Sequence, residues 1–491
     1  MSNPVRYADL ILIAPHIALF LFSLIPLILK LMNRNTEPKR LVTILIALSG
    51  LAFAGITTLV LSGKVQLLFD GALVRDGISV WTNFTLIFAA AVALFITVES
   101  SNVTRTHFSE FVFLLLNGLI GMMFLSMAND LMIAFIAIEM MSLALYLLIM
   151  LGREEKLSKE AAFKYFVLGS FASAVLLYGI SFIYGTAGST YFNDIIDMAP
   201  QLAPSNLLFW MGVVMVVLGL AFKVSIFPFH SWTPDVYDGA PSTVTAFMAT
   251  AVKMVTFVIF LRVAISGGMG VSKGFFDTMQ WLAVLTMLVG NIGAIMQARL
   301  KRMLAYSSVA HSGYALVGLL AAVVAEDPQV GSTSLLFYLF TYVLMTLGAF
   351  SCVSWMEKHA DSSIHLSDLA GLGRRHPWVS LGLTLLLLSL AGLPPTLGFF
   401  GKFYLFTGAL KQGLLWLALW GVLNSVISAY YYLRPVVQMY MVSGDESPEA
   451  MVRGRALTEL AIGLMAFLII LIGLVSSPLY DRVSNAVSGS F

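Results

Sequence analysis

The sequence has almost no cysteine and few charged side chains, and each shortage excludes a class of protein. Its single cysteine, Cys352, excludes a disulfide framework and any iron-sulfur cluster held by this chain alone. Charged residues make up only 11% of the chain, against about 25% in soluble domains. The net charge of +2 gives no indication of nucleic-acid binding.

Histidine and glycine patterns exclude two further kinds of site. The seven histidines do not pair at metal-ligand spacing, so no metal site is predicted. The glycine-containing stretch GLGRRH at 371–376 stands between membrane spans, whereas a dinucleotide fingerprint stands between a strand and a helix. Redox or nucleotide chemistry is therefore not predicted for this chain.

Long apolar runs occupy most of the sequence, since 59% of the 491 residues are hydrophobic. A helix needs roughly 20 apolar residues to cross a membrane. The runs predict an all-α polytopic membrane protein with about fourteen transmembrane helices, and the first is interpreted as a retained helix because it is too long for a signal peptide. The predicted spans are 9–31, 41–62, 78–98, 109–128, 130–151, 161–184, 206–229, 241–265, 276–297, 303–325, 333–356, 378–411, 414–440 and 456–478.

Lysine and arginine are distributed unevenly over the connecting loops. With the N-terminus outside, fifteen basic residues fall in cytoplasmic loops and six in outer segments. Because positive charge concentrates on the cytoplasmic side, both termini are predicted to lie on the non-cytoplasmic side. Arg262 and Arg434 stand at span ends and are interpreted as anchors that reach the headgroup region.

Four ionisable residues lie deep within apolar runs and are the principal candidates for function. A charge at mid-bilayer costs roughly 3 kcal/mol, so such a group indicates a functional site. Glu139 is near the middle of the fifth span, and Lys223, Lys253 and Lys402 lie in the seventh, eighth and twelfth. The structural alternatives are a packing carboxyl for Glu139 and snorkelling lysines whose amines reach water.

Three further candidates have stronger structural alternatives. Lys164 lies about one turn into the sixth span, where a plain interfacial lysine is nearly as reasonable as a channel residue. His230 follows Pro228 at a helix break and could cap the freed carbonyl groups. His311 shares a helix face with two serines in AYSSVAHSGY, a polar stripe suited to ordered water.

Two spans are interrupted by proline, and each contains one lysine. Pro228 breaks the seventh span and Pro394 with Pro395 breaks the twelfth. Because the two lie five spans apart, an odd offset, the two copies have opposite orientations, as in the inverted repeats of transporters. The predicted division is 1–108 (helices 1–3), 109–265 (first repeat, helices 4–8), 276–440 (second repeat, helices 9–13) and 456–491 (helix 14).

Four stretches of the sequence closely resemble a known family, and the resemblance extends over most of the chain. They are IEMMSLALY, FKVSIFPFHSWTPDVYDGAPSTVTAFMATAVK, AYSSVAHSGY and LAGLPPTLGFFGKFYLF. They are similar to the antiporter-like subunits of respiratory complex I, the proton-pumping NADH:quinone oxidoreductase. Lys402 differs from the glutamate usual in subunit M, and no long lateral helix follows the last span as in subunit L. The remaining type of antiporter-like subunit in this family therefore fits best.

The resemblance implies a role for each candidate. Glu139 and Lys223 match the family's charged pair, Lys164 the lysine associated with it, and Lys253 the central lysine. Lys402 matches the terminal lysine, and His230 and His311 match polar residues of the connecting axis. By the same resemblance, the chain translocates protons in a bacterial inner (plasma) membrane beside other membrane subunits of complex I, including further antiporter-like subunits. It contains no cofactor, and NADH, flavin, iron-sulfur clusters and quinone are expected in partner subunits.

A lysine paired with a carboxylate is chemically suited to such a task. Raising a proton against about 180 mV requires roughly 4 kcal/mol, or about three pKa units. Desolvation lowers and a nearby carboxylate raises the pKa of an amine, so movement of Glu139 relative to Lys223 would switch uptake and release. The alternatives are the large subunit of a multisubunit sodium/proton antiporter, a substrate-binding secondary transporter, and a membrane scaffold needed only for assembly.

Overall fold

The fold is almost entirely helical in the computed structural model, which describes residues 7–34, 36–63, 65–100, 107–152, 156–202, 206–267, 270, 272–324, 328–357, 364–443 and 455–490. Six of the basic residues behind the predicted orientation lie outside the described residues. They are Arg6, Lys64, Arg105, Arg153, Lys358 and Arg453.

The N-terminal part contains the first three predicted spans and a small addition. A two-stranded antiparallel hairpin, β1 and β2, occupies a stretch predicted as loop and leads into the third span. That span begins with a capping box, in which Asp76 Oδ1 accepts from the Ser79 amide at 2.8 Å. The elements are α1 (Tyr7–Leu12), α2 (Ala14–Met32), α3 (Arg40–Val60), β1 (Gln66–Leu68), β2 (Leu73–Arg75) and α4 (Gly77–Thr97).

The middle part agrees with the predicted spans except in two loops that prove to be helical. The residues of α8, predicted as loop, bury Phe192, Ile195 and Ala199 at helical spacing. A proline-rich turn predicted after Pro228 is the helix α10. The elements are α5 (Phe108–Met127), α6 (Leu131–Gly152), α7 (Lys156–Ala187), α8 (Phe192–Leu202), α9 (Leu207–Lys223), α10 (Trp232–Gly239), α11 (Ser242–Phe247) and α12 (Lys253–Ser266).

The C-terminal part repeats this pattern of long helices and one broken span. A short 3₁₀ helix, Leu366–Leu369, precedes the broken span, and α21 follows the last predicted one. The elements are α13 (Lys273–Ile295), α14 (Leu300–Val323), α15 (Gln329–Met356), α16 (Leu372–Arg375), α17 (Pro377–Ala391), α18 (Leu397–Lys411), α19 (Leu415–Met441), α20 (Ala456–Leu474) and α21 (Ser476–Ser488).

Eleven helices in the described part of the chain are long and apolar enough to cross a membrane, with α11 and α12 counted as one. Two shorter apolar helices, α9 and α17, belong to the broken spans. The predicted class, an all-α polytopic membrane protein, is therefore confirmed. The count of fourteen and the division into two inverted repeats stay predictions.

Both predicted breaks are observed, and proline and glycine explain them. Helix α9 ends at Lys223, before the predicted end at 229, where Ser225 has a left-handed φ of 63° and the Ile226 amide donates to the Ala221 carbonyl at 2.9 Å; Pro228, which has no amide, prevents the helix from resuming at once. Helix α17 ends at Ala391; the next residue, Gly392, has a left-handed φ of 88°, and the amide of Leu393 donates to the Leu388 carbonyl at 3.1 Å. Each break leaves a helix C-terminus inside the protein.

Three elements form the centre of the molecule: α11–α12, α14 and α15 are buried along nearly their whole length. A π turn at Met248–Val252 joins α11 to α12 immediately before Lys253. Such turns occur frequently at functional sites because they change the direction of the side chains that follow. Helices α2, α3, α7 and α20 are much less buried and leave apolar side chains exposed.

Candidate functional site

The three central lysines are buried, which contradicts the snorkelling alternative. Lys223, Lys253 and Lys402 are only 2%, 2% and 4% exposed. Within the described residues, none of the three has a carboxylate oxygen within 4.0 Å of its amine. Their ammonium groups are held by hydroxyl and carbonyl oxygens, so each can change its charge without breaking a direct ion pair.

Glu139 and Lys223 each bond to a serine. The Ser173 hydroxyl on α7 donates to Glu139 Oε1 at 2.5 Å. Lys223 Nζ, on the last residue of α9, donates to Ser142 Oγ at 2.8 Å. Because Ser142 follows Glu139 by three residues on α6, the carboxylate and the bound amine share one helix face.

Backbone and serine groups connect Lys223 to Lys253. The carbonyl of Val224, the residue after Lys223, accepts from Ser312 Oγ at 2.5 Å. The same hydroxyl contacts the Ser308 carbonyl at 3.2 Å, and that carbonyl also accepts from Lys253 Nζ. Helix α14 therefore contacts both the break after α9 and the central lysine.

His311 lies between tyrosines beyond Lys253. Lys253 Nζ is 5.7 Å from the ring centroid of Tyr342, whose ring is 4.9 Å from that of His311. His311 Nδ1 lies 2.6 Å from the Tyr338 hydroxyl, and Nε2 lies 3.1 Å from the Tyr432 hydroxyl. A neutral imidazole can donate from one nitrogen and accept at the other, so this arrangement can pass a proton through the ring.

Lys402 lies against the C-terminus of the interrupted helix α17. Its Nζ donates to the carbonyl oxygens of Leu390 at 3.0 Å and Ala391 at 2.9 Å, and to Ser425 Oγ at 2.9 Å. It is also 4.9 Å from the ring centroid of Tyr314, next to His311. The negative end of a helix dipole and its unpaired carbonyl groups favour a cation at this place.

Lys164 is not part of this buried series. Its side chain is 42% exposed and pairs with Asp235 on α10 at 3.1 Å and with Glu160 at 2.8 Å. Burial alone would raise the pKa of the Asp235 carboxyl, but hydrogen bonds from Lys164 and Arg302 hold it below its ordinary value. The interfacial alternative agrees with this position.

His230 also lies apart from the other candidates. It is half-buried in the break after α9, with its ring 5.7 Å from that of Phe227. Its Nδ1 is buried without a hydrogen-bond partner among the described residues. It therefore does not cap the freed carbonyl groups through that nitrogen.

Two buried ion pairs were not predicted from the sequence. Arg262, predicted to be a headgroup anchor, instead bonds both carboxylate oxygens of Asp76, at 2.9 and 2.8 Å, and both side chains are buried. Lys301 and Glu357 form a second buried pair at 3.2 Å, to which Ser242 donates at 2.6 Å. These pairs join helix ends, and Arg434 similarly donates to carbonyl groups at the end of α13.

The sequence analysis also missed the neutral partners of the lysines. A serine or tyrosine has no distinguishing signal in an apolar helix, although Ser142 at i+3 from Glu139 and Ser312 at i+4 from Ser308 follow helical spacing. The predicted stripe of Ser307, Ser308 and His311 does lie in the cluster, with Ser307 bonded to Tyr432. The missed partners are Ser142, Ser173, Ser312, Ser425, Tyr338, Tyr342 and Tyr432.

The described residues contain no cluster of three or more metal-ligating side chains. The arrangement consists of buried amines, hydroxyls and one imidazole, with the half-buried carboxylate of Glu139 at one end. All of these groups can donate or accept protons, and nothing in their chemistry selects a larger solute.

Comparison with known proteins assigns the fold and the family. The family model described as "NADH:quinone oxidoreductase/Mrp antiporter, TM" matches residues 128–428. A protein of Bdellovibrio bacteriovorus named NADH-quinone oxidoreductase subunit N is 48% identical over 489 residues, covering 99% of this chain and 100% of that protein. A protein of the same name from Chloroflexus aggregans is 34% identical, covering 98% of this chain and 97% of that protein.

Solved structures have the same architecture. A chain of respiratory complex I from Thermus thermophilus, determined with bound aureothin, is similar with a TM-score of 0.79 at 31% identity, covering 95% of this chain and 98% of that chain. A chain of the Mrp complex from Dietzia sp. gives a TM-score of 0.83 at 20% identity, covering 99% of this chain and 97% of that one. The second likeness shows the fold alone.

Proposed function

Since the chain belongs to the membrane-subunit family shared by NADH:quinone oxidoreductase and Mrp antiporters, within the subunit N branch, we propose that its buried lysines form the route by which it moves protons. The chain is a proton-translocating membrane subunit of NADH:quinone oxidoreductase. The proposal concerns which residues carry the proton and in which order.

One observation carries the proposal: a row of polar groups, joined by hydrogen bonds and by contacts with tyrosine rings, crosses the buried centre of an otherwise apolar protein. It runs from Lys223 through Ser312 and Ser308 to Lys253. It continues through His311 and its tyrosines to Lys402. Buried polar groups in a membrane protein are costly, so a row of them without a structural ion pair indicates transport.

Each member has a distinct task in the proposed route. Glu139 sets the charge near Lys223, and Lys253 connects the two halves. Tautomerisation of His311 passes a proton between Tyr338 and Tyr432. Lys402 lies in the outer half of a broken span by the predicted topology and exchanges its proton with external water. Lys164 and His230 act at the ends of this route: Lys164 is partly exposed, and His230 lies in the break after α9.

The family likeness and the distribution of basic residues support the following setting. The chain is a multi-pass membrane protein, and we place it in the bacterial inner membrane with both termini on the non-cytoplasmic side. Its partners are other membrane subunits of the complex, including further antiporter-like subunits. NADH, flavin, iron-sulfur clusters and quinone belong to those partners, so quinone reduction elsewhere drives the relay.

The test is Lys223→Ala in the assembled complex, with Lys273→Ala as a matched control outside the relay. We expect coupled quinone reduction and proton pumping in sealed vesicles to fall together in the first variant and to stay at the parental level in the second. An assembly scaffold predicts full pumping with alanine at 223. A solute transporter predicts uptake by this chain alone in liposomes, and a sodium/proton antiporter predicts a sodium-dependent proton flux there.

A further inference from the structure

Glu139 and Lys223 form no direct ion pair in this structure, which we call the open state of the pair. Each of the two charged groups is bonded to a serine instead of to the other. Glu139 bonds to Ser173 and Lys223 bonds to Ser142, while no carboxylate oxygen among the described residues lies within 4.0 Å of Lys223 Nζ. An ammonium and a carboxylate in a low-dielectric interior attract strongly when they approach each other. Something must therefore compensate each charge when the two are apart.

The serines are placed to give that compensation. Ser142 is completely buried on α6, three residues after Glu139, and its own hydroxyl hydrogen goes to the Ile138 carbonyl at 2.7 Å. With its only hydrogen donated, the Ser142 oxygen can act toward Lys223 only as an acceptor, and it accepts from the amine. Ser173 is buried on the neighbouring helix α7 and donates to the carboxylate at 2.5 Å.

The polarity of the two bonds matches the two charges. An acceptor stands beside the cation, and a donor stands beside the anion. Bonds to charged groups are about twice as strong as neutral ones, so together they offset much of the lost attraction between Glu139 and Lys223. Displacement of either side chain toward the other would exchange a serine partner for the opposite charge.

We propose that Ser142 and Ser173 are positioning residues that stabilise the open state of the Glu139 and Lys223 pair. The pair then alternates between direct contact, in which the carboxylate retains the proton on the lysine, and the serine-bound state, in which the lysine can pass its proton toward Lys253. No covalent bond is made or broken other than those to the transferred proton. This inference rests on the proposed function of Lys223.

The test compares Ser142→Ala and Ser173→Ala with Ser181→Ala, a control on the exposed face of α7 whose hydroxyl only bonds the Tyr178 carbonyl. Loss of one hydrogen bond to a charged group should shift the open and closed populations about tenfold. We expect pumping-coupled quinone reduction to fall about tenfold in each of the first two variants and to stay unchanged in the control. Ser142→Thr keeps the hydroxyl and should restore most of the rate.

A double variant separates positioning from packing. In a Glu139→Gln background the pair has no anion, so Ser142→Ala should add less than a twofold further loss. Infrared difference spectra should also show a shifted carboxylate band of Glu139 in Ser173→Ala. Parental rates in both serine variants, or an equal loss from Ser142→Ala with and without Glu139, would overturn the inference. If Lys223→Ala also pumped normally, the proposed function itself would be wrong. If Lys223→Ala abolished pumping but both serine variants pumped at the parental rate, only the role proposed for the serines would be wrong.

Discussion

Replacement of Lys402 by arginine separates fixed charge from proton exchange at the end of the relay. The lysine amine is held by Leu390, Ala391 and Ser425 at the C-terminus of α17. A guanidinium keeps the positive charge that this helix end favours, so the variant should assemble. It cannot release a proton at accessible pH, so it should not relay one.

The expected size of the effect follows from ordinary pKa values. Arginine titrates at least about two units above lysine, so its neutral form is roughly a hundredfold rarer at any given pH. If release from residue 402 limits the relay, Lys402→Arg should slow pumping by up to about a hundredfold. Lys402→Met instead removes the cation and leaves the Leu390 carbonyl unpaired, which costs about 1–3 kcal/mol of stability.

The assay is proton uptake into sealed inverted vesicles during NADH oxidation, with assembly checked on native gels. Lys411→Arg is the control and should behave like the parent, because Lys411 lies at the exposed end of α18, the helix that contains Lys402. Lys402→Glu should retain part of the activity, since a carboxylate also titrates. If the Lys402→Arg complex is intact and pumps as fast as the parent, Lys402 is a structural cation and the terminal role is wrong.

Four further outcomes are expected. Glu139→Gln should impair pumping and quinone reduction together, because Lys223 loses the charge that retains its proton; normal rates in an intact complex would refute this. A cysteine at Ser367, an exposed position between Glu357 and Pro377, should react with an impermeant reagent only from the cytoplasmic side, and labelling of intact cells would overturn the topology. Glu357→Gln should lower the free energy of unfolding by about 3–5 kcal/mol, because it removes the negative charge that faces the buried Lys301 amine, and Lys301→Met added to it should recover much of the loss. The pKa of Asp235 lies below its ordinary value, so its ion pairs with Lys164 and Arg302 break only when the pH falls through that lowered pKa. Hydrogen exchange of α10 should therefore stay constant from pH 7 to about 5 after correction for intrinsic rates.

The sequence was sufficient to predict the helical membrane class and the positions of both breaks. Runs of about 20 apolar residues and interior prolines have direct physical consequences that need no tertiary context. Buried charge is equally informative, because a membrane tolerates it only for a reason, and Lys223, Lys253 and Lys402 are all found in the interior.

Partners and short elements could not be predicted in the same way. Helix α10 and the β1–β2 hairpin contain turn-forming residues, and only their contacts with longer helices decide their structure. Arg262 stands at a span end, where snorkelling and pairing look alike, and it is the position of Asp76 across the fold that decides between them. The serines that bind Glu139 and Lys223 give no signal of their own, since serine occurs throughout apolar helices bonded to its own backbone.

The most direct test of the relay is Lys253→Met, a variant of similar size at the centre of the buried row. Lys253 Nζ donates to the Ser308 carbonyl, and no other lysine links the two halves among the described residues. In purified complex reconstituted into liposomes, proton translocation and quinone reduction should both fall at least tenfold. Oxidation of NADH by an artificial acceptor that bypasses the membrane part should stay at the parental rate. Parental proton translocation by a fully assembled Lys253→Met complex would contradict the relay.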